Sequence, residues 1–206
     1  MRVVVAAATS IVNAMYRGMV LAELQRLGHR VEIDLNGDGI ESGRVPDADV
    51  VHIHRFSERE MRRAVGRLHE QGVAVVWDND DDMTGSPVKA KGAMRAQQEQ
   101  ARAASMIEIA DVVTTTSAYL GNQFRSWGAR EVQVVENYIP PEYTAGRSVG
   151  RPQEDVVTIG WIGAGEHYYD FEQLGLRATL ERLLAAHPDV RLATVGVKLG
   201  LPADRW

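Results

Sequence analysis

The sequence contains no cysteine among its 206 residues. Disulfide bonds and thiolate metal sites are therefore excluded, and we expect a protein of a reducing compartment, the cytoplasm. Apolar runs long enough to cross a membrane are also lacking, because the first one, residues 3–8, is soon followed by Asn13 and Arg17. We predict a buried first strand there and no membrane span.

Several well-known motifs are absent. The chain has no P-loop lysine, no G-x-S-x-G nucleophile elbow and no H-E-x-x-H zinc motif. The glycines at 163 and 165 do not form the dinucleotide fingerprint G-x-G-x-x-G, because Tyr168 stands at its last position. A net charge of −5 argues against a nucleic-acid partner, which usually meets a basic surface.

What the sequence does have is a regular alternation of apolar runs and helical periodicity. With 45% hydrophobic and 25% charged residues it has the composition of a globular domain. Strands alternating with helices of this length predict a parallel, doubly wound, Rossmann-like α/β sheet over residues 1–139. The predicted strands are residues 2–8, 31–35, 47–55, 73–77, 112–116 and 132–135, and the predicted helices include residues 14–27, 90–109 and 118–127.

A second unit follows the stretch 140–155, whose paired prolines and scattered glycines predict a linker. Residues 156–206 contain strand 156–162, helix 171–186 and strand 190–195. A two-stranded parallel unit is too small to be stable alone. We expect an incomplete second Rossmann-like unit that packs on the first, pairs with another chain or belongs to a longer protein.

Polar residues follow nearly every predicted strand of the first unit. In an open parallel sheet ligands bind beyond the carboxyl ends of the strands, so these residues should meet at one edge. They are Thr9, Ser10 and Asn13 after strand one, His52 and His54 in strand three, residues 78–82 after strand four, Thr116 and Ser117 after strand five, and Glu136 and Asn137 after strand six.

Each of these features also has a purely structural interpretation. Ser10 and Ser117 are good helix N-caps, and His52 suits a packed strand position. The acidic run 78–82 has the residue types that bind hard cations, but a solvated capping loop explains it equally. We predict no metal site.

The segment 156–170 reads as a strand that runs into a glycine turn and then a helix. Such a turn presents backbone N–H groups, which is where α/β proteins hold phosphates. Gly163 and Gly165 make the turn, and a helix follows it. This predicts a phosphate-binding loop at the start of the second unit.

The order of these segments resembles the GT-B glycosyltransferases of the family-4 type. The residues that carry the resemblance are D-A-D-V-V-H-I-H-R, A-V-V-W-D-N-D-D-D, A-D-V-V-T-T-T-S, V-Q-V-V-E-N-Y-I-P and G-W-I-G-A-G-E-H-Y-Y-D. The whole chain corresponds to the first half to two-thirds of a typical member. The resemblance implies an acceptor-binding first domain and a second domain that binds a nucleotide-sugar donor, with no cofactor.

The resemblance also implies roles for individual residues. His54 would lie close to the transferred sugar and act as the catalytic residue. The acceptor would meet the loop after strand one and the acidic turn after strand four, which lines the interdomain cleft. The implied acceptor-binding residues are Thr9, Ser10, Asn13, Asp80 and Asp81, and the implied donor-binding residues are Gly163, Ala164, Gly165, His167 and Asp170.

Two features of the family are missing. No two glutamates are eight positions apart, so the E-x7-E motif that grips the donor is absent, and so is the Arg/Lys pair for the diphosphate. Three hypotheses therefore stay open. The chain is a glycosyltransferase or a part of one, a non-catalytic binding module with the acceptor cleft, or an assembly protein whose second unit is completed by another chain, including a second copy.

Overall fold

The chain forms two units in the computed structural model. The first comprises Met1–Ser86 with Met94–Ala145, and the second comprises Pro87–Ala93 with Gly146–Trp206. The structure describes residues 1–7, 17, 23–35, 37–42, 47–57, 59–82, 93–137, 145, 156–163, 167–196 and 199–201.

Six parallel strands form one sheet in the described part of the first unit, in the spatial order β2-β1-β3-β4-β5-β6. The direction of winding reverses between β1 and β3, which makes this the topological switch point. The α/β sheet predicted from the sequence is thereby confirmed. The strands are β1 (Arg2–Ala7), β2 (Arg30–Leu35), β3 (Val50–His54), β4 (Ala74–Asp78), β5 (Val112–Thr115) and β6 (Val132–Val134).

Helices cover both faces of this sheet. The described helices of the first unit are α1 (Asp38–Glu41), α2 (Arg59–Glu70), α3 (Ala93–Ile109) and α4 (Ala118–Ser126). Helix α2 buries Met61, Ala64, Val65 and Leu68, whose spacing places them on one helical face against the larger core. On the opposite sheet face Leu24, from the helical residues 23–26, packs against β1. No helix in the described ranges is long and apolar enough to cross a membrane.

Strand β3 is shorter than the predicted strand 47–55 at both ends. Asp47 has φ of 60° and Arg55 has φ of 64°, so both lie in the left-handed region. A strand cannot continue through that conformation, which L-residues adopt at a cost. The chain therefore turns sharply directly after His54.

The second unit contains the two parallel strands β7 (Val157–Gly163) and β8 (Val190–Gly196), and the helices α5 (His167–Gln173) and α6 (Leu176–Ala186). Its core is formed by Phe171, Leu192, Leu199 and Leu201. The prediction of one helix over residues 171–186 is wrong. Gly175, with φ of 66°, separates the two helices because its left-handed backbone interrupts the helical path.

Candidate active site

His54 and Asp78 end two neighbouring strands in register. They are direct partners in the pairing of β3 with β4, so both side chains lie at the carboxyl edge of the sheet. Strand β3 also borders the switch point, where the crevice of such a sheet opens. The edge that the sequence marks as a site therefore carries a histidine and an aspartate side by side.

Asp78 is completely buried and accepts hydrogen bonds from three side chains. His54 Nδ1 lies 2.7 Å from its Oδ2, Arg17 donates through Nε at 2.9 Å and through Nη2, and Thr114 Oγ1 donates at 2.5 Å. Burial by itself would raise the pKa of Asp78, but the bonds from His54 and Arg17 outweigh it and hold the pKa well below the usual aspartate range. The carboxylate is thus ionised at neutral pH.

Arg17 connects Asp78 to the end of β6. Its side chain is only 5% exposed, and its Nη1 donates to the carbonyl oxygen of Val135 at 2.8 Å and to Oδ1 of Asn137 at 3.3 Å. A buried guanidinium is tolerated only when it is paired and hydrogen-bonded, and these partners meet that condition. Arg17 therefore holds the Asp78 carboxylate in place and connects it to the residues that follow β6.

The remaining ring nitrogen of His54 has no hydrogen-bond partner in the described part of the chain. An ionised Asp78 only accepts, so Nδ1 of His54 carries a proton toward it, and in the neutral form of the ring Nε2 presents its lone pair. His54 is 1% exposed, and leaving such a buried polar atom unpaired costs about 1–3 kcal/mol.

Asp80 lies close to this free nitrogen. Its Oδ1 is 3.9 Å from Nε2 of His54, and Arg55 holds it through Nε at 2.8 Å and Nη2 at 2.6 Å. The same Nη2 contacts Oδ2 of Asp81 at 2.9 Å, but the Asp81 side chain is 60% exposed. Arg55 therefore positions Asp80 beside His54, while Asp81 faces solvent.

His52 lies on the same face of the sheet as His54, two residues earlier in β3. Its Nδ1 is buried with no hydrogen-bond partner among the described residues. Burial lowers the pKa of His52, and the nearby Asp78 carboxylate opposes this effect only in part. His52 is thus kept neutral at neutral pH.

In the second unit, Gly163 and Gly196 end β7 and β8 as direct partners. A Cβ atom on Gly196 would lie 2.2 Å from the carbonyl oxygen of Gly163, and its φ is 96°. A Cβ atom on Gly163 would lie 3.0 Å from Nε1 of Trp161 and from Cβ of His167, which begins α5. A side chain on Gly196 would therefore require a backbone shift, whereas a Cβ atom on Gly163 would fit only tightly.

The fold can be compared with known proteins. The crystal structure of the glycotransferase of kitacinnamycin matches with a TM-score of 0.52 and 11% sequence identity, over 98% of this chain and 69% of that one. The chain has a glycosyltransferase-like fold. At this identity the likeness concerns the fold alone. No protein-family model matches the sequence, and no curated protein does.

Within this glycosyltransferase-like fold, the predicted site residues fall into two groups. The structure brings His54 and Asp80 together, and it places Gly163 and His167 at the end of β7 and the start of α5. Residues of the prediction that lie outside the described part are Thr9, Ser10, Asn13, Ala164, Gly165 and the side chain of Asp170. The capping interpretation of Ser117 is confirmed, because its hydroxyl accepts from the backbone N–H of Leu120 at 3.3 Å.

Sequence reasoning missed three residues of the site: Arg17, Arg55 and Thr114. The one available signal was that Thr114 lies in the predicted strand 112–116. In the structure Thr114 is the register partner of Asp78, so the two side chains lie on the same face of the sheet. Arg17 gave no such signal, because 61 residues separate it from its partner. Within the described ranges no group of three or more histidine, aspartate or glutamate side chains is arranged to hold a metal ion.

Proposed function

We propose that this protein is a nucleotide-sugar-dependent glycosyltransferase of the GT-B, family-4-like type. The observation that carries the proposal is the buried Nε2 of His54, which has no hydrogen-bond partner among the described residues and lies next to the switch point of the sheet. A buried polar atom without a protein partner favours a ligand that supplies the missing hydrogen bond. Support for the reaction class comes from the glycosyltransferase-like fold.

In this proposal His54 binds a hydroxyl group of the sugar. Asp78 keeps the ring proton on Nδ1, so Nε2 accepts a hydrogen bond from one hydroxyl. Asp80, held by Arg55 at 3.9 Å from Nε2, accepts from the neighbouring hydroxyl of the same ring. Two acceptors at this spacing recognise a pair of adjacent hydroxyls, a feature that sugars share and water lacks.

The second unit would hold the donor. Glycosyl transfer needs stabilisation of the departing diphosphate and of an oxocarbenium-like sugar. Backbone N–H groups of the turn that follows Gly163 would bind the phosphates, with Ala164 and Gly165 in that turn and His167 and Asp170 as its side chains. No cofactor is required, because the nucleotide-sugar is itself the substrate.

The test uses the 206-residue chain with a panel of uridine, guanosine and adenosine diphosphate sugars. Saturation-transfer NMR reads donor binding, and mass spectrometry reads sugar transfer to simple glycosides and to water. The deciding variant is His54→Asn, because its side-chain N–H still reaches Asp78 while the atom equivalent to Nε2 is lost. We expect transfer to fall by about 10²-fold or more with little change in thermal stability.

The matched control is His187→Gln, which alters an exposed histidine. Its transfer rate should equal that of the unmodified chain. A chain that neither binds nor cleaves any sugar nucleotide in the panel, or a His54→Asn variant with full activity, would refute the proposal. The family resemblance also implies that transfer retains the anomeric configuration, and NMR of the product tests this.

A second candidate function is assembly with another copy of the chain. Ile162 and Val195 are direct partners on β7 and β8, and their side chains are 82% and 61% exposed on the sheet face away from the small core. Parallel strands are normally covered on both faces, so this face favours a partner. Light scattering separates the candidates: a dimer that Ile162→Lys dissociates supports assembly, and a monomer at all concentrations excludes it.

A further inference from the structure

A polar groove of the first unit lies between the beginning of α2 and the middle of α3. It is a cavity of about 270 Å³. Its wall is formed by Ser57, Arg59, Glu60, Arg62, Arg102 and Ser105. We call it the arginine groove.

The charge of the arginine groove is opposite to that of the whole chain. Three guanidinium groups and one carboxylate line it, whereas the chain carries a net charge of −5. Arg62 has a distant partner in Glu108, at 3.8 Å. Within the part of the chain that the structure describes, the guanidinium groups of Arg59 and Arg102 make no ion pair. Local positive charge in a concave surface concentrates anions.

The first turn of α2 adds to this field. The first N–H groups of a helix lack intrahelical partners, and the helix dipole places partial positive charge there. Arg59 and Glu60 belong to this turn and also line the groove. The Glu60 carboxylate opposes an incoming anion, but three arginines outweigh it. Guanidinium groups match phosphate oxygens because their N–H donors form a planar fork.

The arginine groove lies at the same end of the sheet as His54. Ser57, on its wall, comes three residues after His54 in the connection from β3 to α2. This connection leaves the carboxyl end of β3, where ligands of doubly wound sheets bind. A molecule that presents its hydroxyl to the His54 edge therefore has an anion-binding surface on the same side of the first unit.

We propose that the arginine groove binds a phosphate ester group of the acceptor substrate. The proposal rests on the proposed glycosyltransferase function, because only that function makes the bound molecule an acceptor. Anion binding itself is measurable without any sugar donor. Arg59 and Arg102 hold the phosphate oxygens, and Glu60 limits the affinity. The substrate class is thus a phosphorylated hydroxyl compound, either soluble or the headgroup of a lipid.

The experiment titrates the 206-residue chain with inorganic phosphate and glycerol 3-phosphate and follows binding by NMR chemical shifts. We expect saturable binding that Arg59→Gln and Arg102→Gln each weaken by about tenfold. Glu60→Gln should tighten binding a few-fold, because it removes the opposing charge. Arg63→Gln is the matched control, since Arg63 is an exposed arginine of α2 that does not line the groove.

Two further measurements distinguish a soluble phosphate ester from a lipid headgroup, and the groove proposal from the sugar-transfer proposal. Vesicles of phosphatidylcholine with and without phosphatidylglycerol show whether a lipid headgroup is held, and binding that Arg59→Gln abolishes assigns it to the groove. Absence of saturable binding, or equal loss in Arg59→Gln and Arg63→Gln, overturns the groove even when sugar transfer is observed. Phosphate binding with the expected variant pattern, but without sugar transfer, upholds the groove and refutes the transfer.

Discussion

His54 Nδ1 lies 2.7 Å from Oδ2 of Asp78, across two strands whose last residues are paired in register. The contact connects the sheet topology to the chemistry of the site. Because Asp78 is ionised and only accepts, it fixes which nitrogen of His54 carries the proton. The other ring nitrogen, Nε2, is buried without a hydrogen-bond partner among the described residues and lies next to the switch point, where a ligand of this fold is expected.

The first prediction concerns the stability of this arrangement. Asp78→Asn removes the charge that Arg17 neutralises and leaves a buried guanidinium without an anionic partner. We expect the free energy of unfolding to fall by about 3–5 kcal/mol, as measured by urea denaturation. Asp81→Asn, at a side chain 60% exposed, should change it little. Equal losses in the two variants would show that the buried network does not stabilise the fold.

The second prediction concerns acid sensitivity. The pKa of His52 is lowered from 6.5 by burial, so the unfolded chain binds a proton below about pH 6.5 more readily than the folded chain does. The free energy of unfolding should therefore decrease as the pH falls below about 6.5. Asp78 adds a second decrease only below about pH 3.9, because its folded pKa is depressed and protonation removes its contribution.

The variant that isolates His52 is His52→Val, which matches its register partners Val5 and Val76 in the sheet. Its thermal midpoint should depend less on pH between 7 and 5 than that of the unmodified chain, as scanning calorimetry would measure. The charged and titratable groups around it are Asp78, His54 and Arg17. His187→Gln, at an exposed histidine, should retain the full pH dependence, and a similar flattening there would contradict the assignment.

The positions of the strands along the chain show how much of the fold can be predicted from the sequence. Alternating apolar runs and helical periodicity locate all eight described strands, because each strand is a short apolar run bounded by turn residues or helical segments. Where the predicted bounds of β3 and of the helix over residues 171–186 differ from the structure, the cause is a residue with a left-handed backbone conformation. Arg55 ends β3 in the left-handed region, and Gly175 separates α5 from α6. Such conformations depend on contacts that hydrophobic periodicity does not encode.

The sequence predicted the site residues that lie at the ends of strands, but not those that reach the site from elsewhere in the chain. His54 and Asp80 were identified because each follows or ends a strand at the expected edge. Arg17 was not, because its contact with Asp78 joins residues 61 positions apart and no local pattern marks it. Side chains that reach the site from helices depend on tertiary packing. Those that leave strand ends depend on the sheet alone.

The third prediction uses the backbone of Arg55. With φ of 64°, this position costs an L-residue about 1–2 kcal/mol that glycine does not pay. Arg55→Ala and Arg55→Gly both lose the contacts with Asp80 and Asp81, so their difference reports the backbone alone. We expect the glycine variant to be more stable by about 1 kcal/mol in urea denaturation.

The matched position for this comparison is Arg63, an exposed residue inside helix α2. There the order should reverse, with alanine more stable than glycine by about 1 kcal/mol, because glycine disfavours a helix interior. A higher stability of alanine at both positions would show that the left-handed conformation of Arg55 is not maintained in solution.

The fourth prediction concerns the close approach of β7 and β8 at their carboxyl ends. Gly196→Ala would place a Cβ atom 2.2 Å from the carbonyl oxygen of Gly163 on a backbone with φ of 96°. The backbone conformation alone costs about 1–3 kcal/mol, and the clash adds to it. Hydrogen exchange should therefore accelerate in β7 and β8 but not in the first unit's sheet. Gly160→Ala is the control, because its Cβ atom meets nothing within 4 Å. Unchanged exchange in Gly196→Ala would show that the two glycines separate in solution.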